Sequence, residues 1–406
     1  MDIQITPRRL SGTVTPPPSK SMAHRLLIAA ALGGGASTVR NVAFSQDIEA
    51  TLRCMEALGA RWERPAEDCV RLTGVGGAPR TFAELPRFDC GESGSTLRFL
   101  IPIALAVAGG GVFTGRGRLM ERPQKPYFDL FDEKGIFYEQ KDGVLTIRGR
   151  LTPGAYRLPG NVSSQFFTGL LFALPLLDGP SAIASTTALE SAGYITMTLE
   201  AMETAGVSAA ADSAAFAVSP AAYQPFAGTV EADWSQAAFW YAAIALGSPI
   251  GLEGLNLESA QGDMEVADHY LRLSVPGEVE IDVSGCPDLL PPLAVMAAIR
   301  QGTTRFVNAA RLRIKESDRL ATTAALLNTL GGQAEEGPDS LTVYGVPAFS
   351  GGTVDGANDH RIVMAAAIAA TVSRAPVTIL GAEAVNKSYP SFWDDYQRLG
   401  GEIHVL

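Results

Sequence analysis

The sequence predicts a mixed α/β protein of two similar lobes, assembled from six copies of one repeat of about seventy residues, with the fourth copy cut short. Three observations carry that expectation. Six polar segments bearing Ser, Asp or His each run directly into an apolar, helix-like stretch. Their markers, Lys20, Gly94, Ser164, Ser235, Asp288 and His360, are near-evenly spaced except between Ser235 and Asp288. Several second helical stretches then end in Gly before a short strand pair.

The first three helix starts are Pro18-Ser19-Lys20-Ser21 before residues 22–32, Gly91-Glu92-Ser93-Gly94-Ser95 before 97–108, and Asn161-Val162-Ser163-Ser164-Gln165 before 166–177. The other three are Asp233-Trp234-Ser235-Gln236 before 237–246, Cys286-Pro287-Asp288 before 289–299, and Asn358-Asp359-His360-Arg361 before 362–372. Short polar side chains ahead of apolar periodicity are helix N-terminal signals. The Gly-ended second helices are visible at Met55-Glu56-Ala57-Leu58-Gly59-Ala60, Met202-Glu203-Thr204-Ala205-Gly206 and Leu327-Asn328-Thr329-Leu330-Gly331-Gly332. Each repeat therefore reads strand, helix, strand, helix, hairpin. In the fourth, residues 266–273 pass directly to Ser274-Val275-Pro276-Gly277, which predicts a missing hairpin and a less stable lobe of unchanged fold. Pro16-Pro17-Pro18 and residues 225–232 read as crossings, so lobe I is expected over 1–18 plus 231–406 and lobe II over 19–230, with substrate between them.

At 406 residues and 47% hydrophobic content the chain can fill more than one core. The longest apolar run, 100–108, contains Pro102 and is too short to span a bilayer, so no membrane segment is expected. The start, Met1-Asp2-Ile3-Gln4-Ile5, lacks the basic and apolar regions of a secretory signal, and a cytoplasmic protein is expected. Cys54, Cys69, Cys90 and Cys286 show no paired metal-ligand spacing; reduced core thiols and no metal are expected. A net charge of −11 argues against nucleic-acid binding, so an anionic ligand must meet a local basic cluster.

Such clusters lie at the helix starts, where unpaired amides already favour anions. Lys20 and Arg25 flank the first, Arg98 follows Gly94-Ser95-Thr96, and Arg361 follows His360. Lys315 and Arg319 are expected one turn apart on a helix, and Arg122 and Lys387 in polar, Pro-flanked loops. Taken singly, Ser and Asp here are ordinary caps and a lone Arg is ordinarily solvated. Their recurrence at equivalent points of a repeat is what marks an anion site.

The segments Pro18-Ser19-Lys20-Ser21-Met22-Ala23-His24-Arg25, Gly91-Glu92-Ser93-Gly94-Ser95-Thr96-Leu97-Arg98, Glu121-Arg122-Pro123, Ser163-Ser164-Gln165-Phe166, Arg313-Ile314-Lys315-Glu316-Ser317-Asp318-Arg319-Leu320 and Asp359-His360-Arg361 together resemble 5-enolpyruvylshikimate-3-phosphate synthases. The resemblance covers nearly the whole chain and implies the two-lobed enolpyruvyl-transferase-like fold, an inside-out α/β barrel. It implies a cytoplasmic transferase of the shikimate pathway that needs no metal or organic cofactor, acts as a monomer and binds neither nucleic acid nor membrane. Shikimate 3-phosphate would meet Lys20, Ser21, Arg25, Ser163, Ser164, Gln165, Ser191, Tyr194, Asp288 and Lys315, with Arg25 as a planar fork for the ring carboxylate. Phosphoenolpyruvate would meet Lys20, Gly94, Arg122, Gln165, Arg319, Arg361 and Lys387, with Ser95, Arg98 and Arg311 completing the substrate side. The catalytic set would be Asp288, Lys20, Glu316 and His360, Asp288 as base for the acceptor hydroxyl and Lys20 or Glu316 moving the proton at the enolpyruvyl carbon. The related UDP-N-acetylglucosamine transferase family uses Lys-Asn and a loop Cys; here Ser21 follows Lys20, and residues 116–126 contain no Cys. Glu92, Ser95, Arg311 and Gln46 depart from the common pattern of the synthases.

Overall fold

Ser19 opens α1 (Lys20–Leu32) by accepting a hydrogen bond from the Met22 amide, and capping of this kind recurs along the chain. The computed structural model describes residues 1–77 and 80–406. The chain divides into a middle unit, Pro18–Glu231, and a terminal unit, Met1–Pro17 with Ala232–Leu406.

In the middle unit the first repeat has α1, strand Ala36–Arg40, α2 (Gln46–Ala57) and the hairpin Arg61–Ala66/Cys69–Thr73; strand Ala227–Thr229 returns to complete its sheet. The second has strand Arg87–Asp89, α3 (Gly94–Ala108), strand Gly110–Thr114, α4 (Lys125–Lys134) and the hairpin Phe137–Lys141/Val144–Arg148. The third has strand Gly154–Leu158, α5 (Gln165–Ala173), strand Ser181–Ser185, α6 (Ala192–Thr204) and the hairpin Ala209–Asp212/Ala215–Val218. In the second and third sheets the first two strands pair in parallel, as the intervening helical crossover requires; in the first, Ala36–Arg40 pairs in parallel with the returning strand, and in all three the hairpin adds antiparallel strands.

The terminal unit repeats the pattern. Its fifth repeat is strand Val279–Asp282, then α9 (Leu290–Ile299), strand Thr303–Val307, α10 (Arg319–Thr329) and the hairpin Gln333–Glu336/Leu341–Tyr344. The sixth is strand Gly352–Asp355, α11 (His360–Ala370), strand Val377–Leu380, α12 (Phe392–Arg398) and strand Glu402–Val405, with Ile3–Thr6 from the start of the chain filling the sheet. The fourth repeat holds strand Gly12–Val14, α7 (Trp234–Ala245), strand Ile250–Leu252 and α8 (Val266–Leu273). Among the described residues its sheet has two strands where the other five have four. The short interval is therefore a missing hairpin, as the sequence predicts.

Arg300, just after α9, closes the gap. Its guanidinium donates to Leu273 O at 3.2 Å, to Gly277 O at 2.9 Å, to Thr304 Oγ1 at 3.1 Å and to Val275 O, holding residues 273–277 against the fifth sheet. A cavity of about 280 Å³ beside this turn is lined by Tyr270, Val275, Met296 and Ile299 among others.

The helices between the parallel strands are buried nearly all round, which places them inside while the strands keep an exposed face. Pro102 lies within α3 without ending it. Proline cannot donate to the carbonyl four residues back, Arg98 O; Tyr127 Oη takes that place at 2.8 Å and also lies 3.1 Å from Phe166 O. Opposite, a Cβ on Gly169 would stand 2.4 Å from Tyr127 Oη and 2.6 Å from Arg98 O, so only glycine lets α5 close on α3 here. That contact sets the helices carrying Arg98 and Gln165 side by side. No helix among the described residues is long and apolar enough to cross a membrane. All four cysteines are buried and free.

Candidate active site

In the middle unit the cations gather at the starts of α1, α3 and α5. Lys20 Nζ lies 2.8 Å from Asp47 Oδ2, in the first turn of α2, where Ser45 is the cap. Arg98 donates to Gln165 Oε1 at 2.8 Å and to Pro123 O at 3.1 Å, with its guanidinium over the Phe166 ring. Gln165 continues the link to Ser95 Oγ at 3.0 Å, and its amide donates to Ser163 Oγ. Ser164 precedes α5 and is buried. A Cβ on Gly94 would stand 2.7 Å from Arg122 Nη1, so the bare glycine is what lets that guanidinium lie over the start of α3. Beneath runs a buried chain, His24 to Thr51 to Thr96 to Ser93, each link 2.7–2.8 Å. Burial, followed by the charges of Lys20 and Arg25, holds His24 well below its ordinary pKa and therefore neutral.

Arg25, the planar fork that the resemblance implies for the ring carboxylate, is buried among protein acceptors. Its guanidinium donates to Thr198 Oγ1, Thr168 Oγ1, Ser21 O and Tyr194 O at 2.7–3.4 Å, and burial pushes its pKa down to about 10. In this arrangement it pins the start of α6 to α1. Ser191 leads into α6 in the left-handed conformation, φ 53° and ψ 46°, with no side-chain cap. A non-glycine residue held there costs roughly 1–3 kcal/mol, a strain found at ligand-binding turns.

In the terminal unit the charges interlock. Asp288 lies in the turn Pro287–Leu289 before α9; its Oδ1 accepts from Lys315 Nζ at 3.2 Å and Arg319 Nη1 at 2.8 Å, and its Oδ2 from Arg361 Nη2 at 2.9 Å. Arg319 is 1% exposed and also reaches Asp359 Oδ2 at 2.8 Å and Glu316 Oε2 at 2.7 Å. Arg361 Nη2 donates to Ser235 Oγ at 2.9 Å, which in turn donates to Asp233. Lys387 Nζ donates to Asn358 O at 2.6 Å, and Ala357 and Asn358 are both left-handed, at φ 50°. His360 opens α11 behind the cap Asp359, with Nδ1 3.9 Å from Asp359 Oδ1. Arg311, nearby in the chain, donates to Ser284 O.

Burial opposes the charge of Arg319, but Asp359, Glu316 and Asp288 outweigh it and hold the guanidinium above its ordinary pKa. Asp359 answers in kind: burial alone would raise its carboxyl, and Arg319 and His360 bring it below the usual range. For Lys315 burial wins over the pull of Asp288, and its pKa falls to about 8. Lys315, Arg319 and Arg361 thus interlock with the carboxylates of Asp288, Glu316 and Asp359, a concentration of cations in a chain of net −11.

Two expectations are corrected. Lys315 and Arg319 do not share a helix: Lys315 follows the 3-10 turn Ala310–Ile314 with extended backbone, and Arg319 is the first residue of α10. The reason is Asp318, whose side chain accepts from the Ala321 amide and fixes the helix start there. Lys387 does not stand in a loop, whereas Arg122 does, in extended backbone ahead of α4. Each lies at the end of a 3-10 turn, Leu119–Glu121 and Ala382–Lys387, and is buried to 7% and 4% exposure. Sequence reasoning left Asp47, Asp233, Ser235, Ser317 and Asp359 out of the candidate site. Asp359 was visible as a cap, but its pairing with Arg319 spans 40 residues, and Ser317 Oγ donates to the same carboxylate.

Known proteins resemble this chain over nearly its whole length. Residues 5–396 match the family model of EPSP synthase (3-phosphoshikimate 1-carboxyvinyltransferase). The 3-phosphoshikimate 1-carboxyvinyltransferase of Clostridium beijerinckii is 44% identical over 425 residues, covering 98% of this chain and 98% of its own. That of Clostridium acetobutylicum is 44% identical over 429 residues, covering 99% and 98%. The structure of EPSP synthase from Acinetobacter baumannii superposes with a TM-score of 0.80 over 100% of both chains at 23% identity, a likeness of fold. By the family match and by identity over nearly its full length, the chain belongs to the EPSP synthase family.

Proposed function

We propose that this chain transfers the enolpyruvyl group of phosphoenolpyruvate to the 5-hydroxyl of shikimate 3-phosphate, releasing phosphate, in the cytoplasm and as a monomer. The hydroxyl oxygen bonds to C2 of phosphoenolpyruvate while C3 takes a proton. The tetrahedral intermediate then loses phosphate from C2 and a proton from C3, restoring the double bond. The observation that carries this reading is the Asp288 carboxylate held among Lys315, Arg319 and Arg361, beside Glu316. A base for the hydroxyl thus stands among fixed cations suited to phosphate and carboxylate groups. Asp288 takes the hydroxyl proton, with its position set by the cations. Lys20 and Glu316 handle the proton at C3; Arg122, Arg319, Arg361 and Lys387 bind phosphoenolpyruvate; Ser163, Ser164, Gln165, Ser191 and Lys315 bind shikimate 3-phosphate. Arg98 positions Gln165, and Arg25 positions the Tyr194 backbone.

Purified protein is expected to release phosphate from phosphoenolpyruvate only when shikimate 3-phosphate is present. Equal release with UDP-N-acetylglucosamine would transfer the assignment to the related family. Binding of both substrates without turnover would make the chain a binding protein.

The low pKa of Lys315 adds a pH signature. The charges facing it are Asp288, Arg319, Arg311 and Glu316. As pH rises through about 8, the folded protein loses this cation while the unfolded chain keeps it to about 10.4. Anion binding should weaken in that window, so kcat/KM for shikimate 3-phosphate falls up to tenfold per pH unit. The unfolded state binds the extra proton, so the Lys315 contribution to folding stability moves the opposite way and rises. Lys315→Arg should move the alkaline limb upward; an unchanged limb would remove Lys315 from binding.

A further inference from the structure

We propose that Glu265, His269 and Cys286 form a binding site for a divalent transition-metal ion, Zn²⁺ in particular, that ties α8 to the turn leading into α9. The three ligand atoms lie within 4.8 Å of one another. His269 Nε2 stands 3.5 Å from Glu265 Oε2 and 3.7 Å from Cys286 Sγ. Tetrahedral zinc, with bonds of about 2.0–2.1 Å to nitrogen and oxygen and about 2.3 Å to sulfur, sets N and O about 3.3 Å apart and N and S about 3.6 Å apart. Two edges of the coordination polyhedron are therefore nearly in place before any ion arrives.

His269 and Cys286 are buried, whereas the Glu265 side chain is half exposed and leaves an entry path and a fourth position for water. His269 Nδ1 is buried without a partner, so every directed contact of the ring runs through Nε2, toward Glu265 and Cys286. A Cβ on Gly285 would stand 3.2 Å from Glu265 Oε1, so the glycine before Cys286 makes room for that carboxylate. When the ion binds, the thiol proton passes to solvent, the sulfur lone pair bonds the metal, and nothing is oxidised. Thiolate, imidazole and carboxylate together select zinc over magnesium or calcium.

The location gives the ion a task. Glu265 and His269 sit one helical turn apart in the repeat that lacks its hairpin, and Cys286 enters the next repeat two residues before Asp288. Metal binding would cross-link the two repeats where strand pairing is missing. The sequence offers no spacing signature for such a site, because its cysteine stands alone.

Full-length protein stripped with chelator and titrated with Co²⁺ tests the site. One equivalent should bind with a thiolate-to-cobalt charge-transfer band, displaced by Zn²⁺, and the band should vanish in Cys286→Ser and in His269→Gln. Zn²⁺ should raise the melting temperature of the parent protein and leave Cys286→Ser unmoved. Glu265→Gln alters a half-exposed side chain that leaves the fold intact, and it should weaken Zn²⁺ at least tenfold. Absence of the band, its persistence in His269→Gln, an equal thermal shift with Mg²⁺, or unchanged Zn²⁺ affinity in Glu265→Gln would each overturn the proposal.

Discussion

Asp288→Asn should lower kcat by about 10²- to 10⁴-fold, the usual span for loss of a general base. The parent carboxylate accepts from Lys315 and Arg319 on one oxygen and from Arg361 on the other. An amide has one acceptor oxygen; its NH₂ must face either Arg361 or the Lys315–Arg319 pair, donor against donor. Stability should therefore fall as well, by about 1–3 kcal/mol for one frustrated buried partner. Phosphate release at saturating substrates, compared with chemical denaturation, separates the two effects. A kcat within tenfold of the parent would leave Asp288 as a holder of cations and return the search for the base to Glu316 and Lys20.

A second large effect is expected at Asp359, and it is one of folding. Its carboxylate is fully buried, accepts from Arg319 Nε at 2.8 Å and from Ser317 Oγ at 2.9 Å, and caps α11 through the Arg361 amide at 3.0 Å. Asp359→Ala leaves Arg319 short of its closest buried counter-charge, and breaking such a pair costs about 3–5 kcal/mol. Loss of the cap adds about 1 kcal/mol. Asp359→Asn keeps one acceptor for the helix and should recover part of the loss. Denaturant midpoints of the three proteins check this ordering, and equal midpoints for parent and alanine variant would show that Glu316 and Asp288 suffice for Arg319.

Four helix starts were legible because capping and apolar periodicity are local: Ser19, Ser93, Asp233 and Asp359 each accept from an amide two or three residues on. The shortened repeat was legible for the same reason, since a hairpin takes up residues that can be counted. What could not be read were couplings between distant positions. Arg361 meets Asp288 across 73 residues and Ser235 across 126, and no periodicity announces either contact. The left-handed backbone at Ser191, Ala357 and Asn358 was equally hidden, because none of the three is the glycine that usually marks such a turn. Motif resemblance named Lys387 and Arg122 where physics alone offered only loop positions. Their burial depends on the turns beneath them.

Arg300 gives the shortened repeat a further meaning. Four other repeats add a hairpin to their sheet; here one guanidinium, anchored on carbonyls of Leu273, Val275 and Gly277, ties the turn after α8 to the fifth sheet instead. The bend at 273–277 stands where other repeats insert their hairpin, so it is a natural splice point, at which extra sequence adds only the slowly growing entropy of a longer loop.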